Sequence, residues 1–119
     1  MTALPPVVGE VLADYAAGRQ PDRVSEKAAV KATLALLAEH APGRSVEVRI
    51  PPYAAVQVVA GTTHRRGTPS AVVETDPRTW LELSAGQCRW ADAVDDGRVR
   101  ASGARSDLSP WLPLLGTTG

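Results

Sequence analysis

The sequence predicts a small domain that mixes helices and strands, α/β or α+β, and three observations carry that reading. Apolar residues recur with a helical period up to about Ala41, then with a period of two from Ser45 onward. The stretch Val72 to Gly103, VVETDPRTWLELSAGQCRWADAVDDGRVRASG, reads as strand, short helix, tight turn, short helix and strand. A length of 119 residues suits one domain, 1–119, able to bury roughly two-thirds of its unfolded surface.

Residues 1–21 form an N-terminal extension with one helix: after Pro5-Pro6, Val8, Val11, Leu12 and Tyr15 fall on one helical face, and Gly18 stops it. A second helix is expected from about Asp22 or Ser25 to His40. Its buried stripe is Val30, Leu34, Leu37 and Ala41, and its wet side Glu26, Lys27, Lys31 and Glu39. Pro42-Gly43 ends it. Val46, Val48 and Ile50 then alternate with Glu47 and Arg49, a strand with one buried face. Pro51-Pro52 removes two ladder donors and forces a bend or an edge. The apolar run Ala54 to Ala60 reads as a central strand, the middle of GTTHRRGTPS as a short edge strand, and Ala71 to Thr75 as a return into the sheet.

Asp76-Pro77 starts a short helix, since an Asp can cap free N–H groups and Pro is tolerated in the first turn. Gly86 and Gly97 stand where helices end in a left-handed residue. Arg98 to Ser102 is the last strand, with Val99 and Ala101 inward. Residues 107–119 should give one or two helical turns after Asp107 and then an extended apolar tail, because Pro113 is too deep for a longer helix.

Composition excludes several function classes. Thirteen basic and thirteen acidic residues cancel, so no basic field exists for nucleic acid. No apolar run approaches the roughly 18 residues of a spanning helix, so stable membrane insertion is not expected. One Cys and no secretory leader pattern point to a cytoplasmic setting.

Candidate chemistry is sparse. His64 with Arg65 and Arg66 could form a small anion site, although an exposed turn explains the same letters. His40 suits a helix C-terminus, where the dipole favours a cation. Two His and one Cys without ligand spacing predict no metal, and no cofactor is expected. Cys88 reads as a small, partly buried residue. Asp92, Asp95 and Asp96 lie on the outer face of a short helix, where solvated charge is usual. Ser84, Ser102 and Ser109 lack a nucleophile signature, so no catalytic residue is expected; His64 with Arg66 or Glu74 is the least favoured reading. Trp80, Trp90 and Trp111 fall on inward faces of successive short C-terminal segments. In a chain without Phe they either plug the core or line an apolar cavity.

The ordered set D-P-x-x-W-L-x-L-x-x-G from Asp76 to Gly86, W-x-D-A-V-x-x-G-x-V-x-x-S-G from Trp90 to Gly103, then Asp107-Leu108, resembles the sterol carrier protein type two family. The small actinobacterial branch is the nearest likeness, from about Asp22 to Leu114. The resemblance implies an α+β fold, a mostly antiparallel sheet of about five strands with helices packed on it. It also implies non-enzymatic carriage of a sterol, fatty acid or acyl thioester in a tunnel between sheet and helices. The expected apolar wall is Trp80, Leu83, Trp90, Val94, Leu108, Trp111, Leu112 and Leu115, with His64 and Arg66 at a polar mouth. The segment VRASGARSDLSPWL also resembles the C-terminal accessory domain of mycothiol-dependent maleylpyruvate isomerase relatives. That likeness supports the alternative, an interaction module with a filled core, which could pair with a second copy through its apolar tail.

Overall fold

Each helix ends where the sequence places a local stop, and the strands follow the change of period at Ser45. The computed structural model describes residues 4–61, 71–103 and 106–114. The expected edge strand in the GTTHRRGTPS loop, together with His64, Arg66 and Leu115, lies outside them.

Helix α1 spans Pro6–Ala16, with Pro in its first turn, and the chain turns away at Gly18, whose φ is 73°. Helix α2 spans Arg23–His40, and the Asp22 carboxylate caps it by accepting the Ser25 N–H at 3.2 Å. Strands β1 (Val46–Ile50), β2 (Ala54–Val58), β3 (Ala71–Thr75) and β4 (Val99–Gly103) form one sheet in the order β2-β1-β3-β4. Between β3 and β4 lie α3 (Pro77–Ala85) and α4 (Trp90–Asp95). Asp76 caps α3 through the Thr79 N–H at 2.9 Å, and Gly86 ends it with a left-handed φ of 80°. A single 3-10 turn, Ser109–Trp111, is all the helix that the proline-rich C-terminal segment allows.

The α+β architecture matches expectation, with two adjustments to the sheet. Among the described residues it has four strands, and it is mixed: β1 pairs antiparallel with β2, β3 antiparallel with β4, but β1 and β3 run parallel. Among the described residues, β2 within the Ala54 to Ala60 run is bonded only to β1. Its apolar letters face α2, which packs on it. Ala101 is exposed rather than inward, because the helices cover only the Val99 end of edge strand β4.

The core lies between the sheet and α1, α2 and α3. Val46, Val48 and Ile50 of β1 and Ala71 and Val73 of β3 meet Val30, Leu34, Leu37, Trp80, Leu81 and Leu83 there. The opposite sheet face is wet, and its charges pair: Arg49 with Glu47 at 2.8 Å, and Arg100 with its cross-strand neighbour Glu74 at 2.8 Å.

Glu26 departs most from its expected place. It is buried, not on the wet side of α2, and its carboxylate accepts the Tyr15 hydroxyl at 2.5 Å and the Tyr53 hydroxyl at 2.6 Å. A buried carboxylate is tolerable only with such donors. The arrangement ties α1, α2 and the β1–β2 turn at one point. Burial and the bond to Glu26 push the Tyr15 phenol well above its ordinary range, and the bond to Glu26 raises Tyr53.

A second knot closes the start of the sheet. Val59, a β-branched residue at φ 67°, donates its N–H to Ala41 at 2.6 Å. Its carbonyl accepts the Ser45 N–H at 3.0 Å and the Ser45 hydroxyl at 2.6 Å. Gly43 passes so close that a Cβ on it would stand 2.2 Å from the Val59 carbonyl carbon. Only glycine fits.

Two outcomes follow. Gly43→Ala should lose more than about 3 kcal/mol in urea unfolding, combining backbone collision with strain at its φ of 152°; a near-neutral result would contradict this packing. Tyr53→Phe should cost about 1–2 kcal/mol and Glu26→Ala about 3 kcal/mol or more. Both phenols are raised in the fold, so the folded state favours their neutral form. That contribution is complete below the unfolded value of about 10 and is lost as pH rises beyond it. Tyr15 phenolate absorbance should therefore appear only together with alkaline unfolding.

Candidate functional site

The segment after Gly103 folds back on α3 and creates the apolar opening of interest. Leu108 and Leu114 are buried, the Leu114 N–H donates to the Ser84 carbonyl at 2.9 Å, and Pro113 faces Gly86. Between this strap, the C-terminal end of α3 and the start of α4 lies a groove of about 280 Å³. It is lined by Leu83, Gly86, Cys88, Arg89, Trp90, Ser109, Leu112 and Pro113. Local sequence explains the opening. Gly86 ends α3 and α4 does not begin until Trp90, so the chain between them shapes a floor without filling it.

The three tryptophans divide. Trp80 is fully buried, and its indole N–H donates to the Thr33 hydroxyl at 2.8 Å. That hydroxyl in turn donates to the Ala29 and Val30 carbonyls at 2.8 and 2.9 Å, so Trp80 is fitted into the core with its polar edge satisfied. Trp90 and Trp111 are half-buried, and Trp90 lines the groove.

Of the expected wall, Leu83, Trp90 and Leu112 come together at the groove. Leu108 is buried within the core cluster, Trp111 packs on its edge, and Val94 is 37% exposed on α4. Cys88, Arg89, Gly86 and Pro113 stand at the groove without having been expected there. Their signal was available: all sit at the punctuation between short elements, where chain ends converge.

Two larger depressions, about 510 and 520 Å³, flank the end of β3 and carry several charged side chains in their walls. The first is lined by Glu74, Asp76, Arg98 and Arg100, among others; Arg100 is paired with Glu74, and Arg98 with Asp96 at 2.8 Å. The second holds Tyr15, Glu26, Arg19 and Arg78; Arg19 pairs with Asp14 at 3.1 Å and Arg78 with Glu82 at 3.0 Å. Size favours these depressions, but their charges are already satisfied inside the chain, so chemistry favours the smaller groove. Among the described residues, no group of three or more His, Cys, Asp or Glu side chains could hold a metal ion. No described helix is long and apolar enough to cross a membrane.

Fold and groove together define a class: a small α+β domain with an apolar opening bordered by Leu83, Trp90 and Leu112. The sequence pattern described as bacterial SCP ortholog matches residues 22–114. The chain belongs to that sterol-carrier-like family. The comparison with curated proteins finds no match.

The division of the tryptophans is testable. Trp80→Phe should cost about 2 kcal/mol or more, since it leaves a gap and removes the donor to Thr33; Trp90→Phe should stay within about 1 kcal/mol. Urea unfolding of both variants checks this, and similar losses would contradict the assignment.

Proposed function

We propose that the chain binds a small apolar molecule non-covalently and carries it in the groove between α3, α4 and the C-terminal strap. The observation that carries the reading is this apolar groove, walled by Leu83, Trp90 and Leu112 and left open among the described residues, in a member of a sterol-carrier-like family. The reading involves no cofactor and no catalytic group. The interior between sheet and helices is occupied by Trp80, Leu34, Leu37 and Leu83, so the groove, rather than a tunnel through the core, is the proposed seat.

A second reading, an accessory module that pairs with another copy, is favoured by Trp111 and Leu112, which pack on the core yet remain partly exposed. Ligand titration followed by tryptophan fluorescence separates the two. Saturable binding should change Trp90 emission, the change should vanish in Trp90→Phe, and bound ligand should slow Cys88 alkylation. Absence of any saturable response, with a doubled mass in sedimentation, would favour the module.

A further inference from the structure

An apolar cargo suits the groove; the depression of about 520 Å³ at the other end of α3 has walls of both charges instead. Tyr15 and Arg19 reach it from α1 and the connection after it, Glu26 from α2 and Pro52 from the β1–β2 turn. Asp76, Pro77 and Arg78 reach it from the start of α3. Tyr15 and Arg19 precede residue 22, where the family pattern begins, so this wall is built partly from residues outside that pattern.

Glu26 sets the chemistry. It is 7% exposed, and its carboxylate meets two neutral phenols, Tyr53 on Oε1 and Tyr15 on Oε2. Among the described residues it holds no ion pair. Each of its oxygens keeps a further lone pair, and a carboxylate removed from water attracts a cationic donor more strongly than an exposed one. Asp76 differs, because its two oxygens are taken by the Thr79 N–H at 2.9 Å and the Thr79 hydroxyl at 2.7 Å.

Arg19 and Arg78 supply the opposite sign. Their side chains are 65% and 57% exposed, and each holds one carboxylate in a surface pair. Such pairs contribute at most about 1 kcal/mol, so these guanidinium forks can be shared with a carboxylate from outside the chain. Arg78 lies over the Tyr15 ring, 5.3 Å from its centroid, which sets a cation beside the Tyr15–Glu26 bond.

We infer that this depression binds a small zwitterion of the α-amino-acid class. Its ammonium donates to Glu26, its carboxylate accepts from Arg19 and Arg78, and its side chain lies against Pro52 and Pro77. The site is separate from the groove and does not depend on the groove's having a cargo.

NMR titration of the full chain with L-phenylalanine, 3-phenylpropionate and phenethylamine compares the zwitterion with its two halves. Phenylalanine should saturate and bind about tenfold more tightly than either half, the order of one charge-assisted hydrogen-bonded pair near solvent. The Gly18 and Arg78 amide signals should move and the Trp90 signal should not. Arg19→Gln and Arg78→Gln alter exposed side chains, and each should weaken phenylalanine several-fold while phenethylamine binding is kept. Glu26→Gln should abolish the advantage over 3-phenylpropionate. Urea unfolding verifies the fold of each variant, and the two arginine variants decide the matter if Glu26→Gln does not fold. Equal binding of the three ligands, or phenylalanine affinity unaltered in both arginine variants, overturns the zwitterion assignment. Absence of saturation by phenylalanine, or shifts confined to Cys88, Trp90 and Leu112, overturns the site.

Discussion

The hydrogen bond from the Trp80 indole to the Thr33 hydroxyl fixes how α3 sits on α2, and the architecture of the groove follows from it. A Trp can be buried completely only where its N–H finds an acceptor. Thr33 supplies one without losing its own bonds to the Ala29 and Val30 carbonyls. With Trp80 seated between sheet and helices, the interior there is occupied. The free apolar surface of α3 is pushed to its C-terminal end, where Leu83 faces the strap.

The strap is a wall because of its prolines. Pro110 and Pro113 hold the segment to one 3-10 turn followed by extended chain. A regular helix here would bury a continuous stripe against α3 and close the space. Instead the strap is pinned by Leu108 and Leu114, with Leu112 between them facing the opening. The same residues that interrupt regular structure keep the groove from being filled.

Local features of the fold were legible in the sequence, and features joining distant segments were not. The Asp22 and Asp76 caps, the glycine stops at Gly86 and Gly97 and the alternation of β1 depend on neighbours a few residues away, and the structure shows each in place. The buried state of Glu26 depends on Tyr15 and Tyr53, eleven and twenty-seven residues distant, so helical periodicity assigned it to water. The parallel pairing of β1 with β3 depends on which strand crosses to β1's other side, which period alone does not reveal. Trp80 and Trp90 show the same limit at the candidate site. Both fall on inward faces of short helices, and only the position of Thr33 on another helix makes one a core residue and leaves the other at a wall.

The Tyr15–Glu26–Tyr53 knot bears on where this unit begins. The family pattern starts at residue 22, yet α1 lies wholly before it and contributes Tyr15, Val8, Val11 and Leu12 to the buried interior. A boundary drawn by similarity therefore cuts through a cooperative contact instead of around one. The first helix is not an appendage on a shared scaffold. It packs its apolar face into the core and supplies, beside Tyr53 of the matched span, one of the two hydroxyls that hold the buried Glu26 carboxylate.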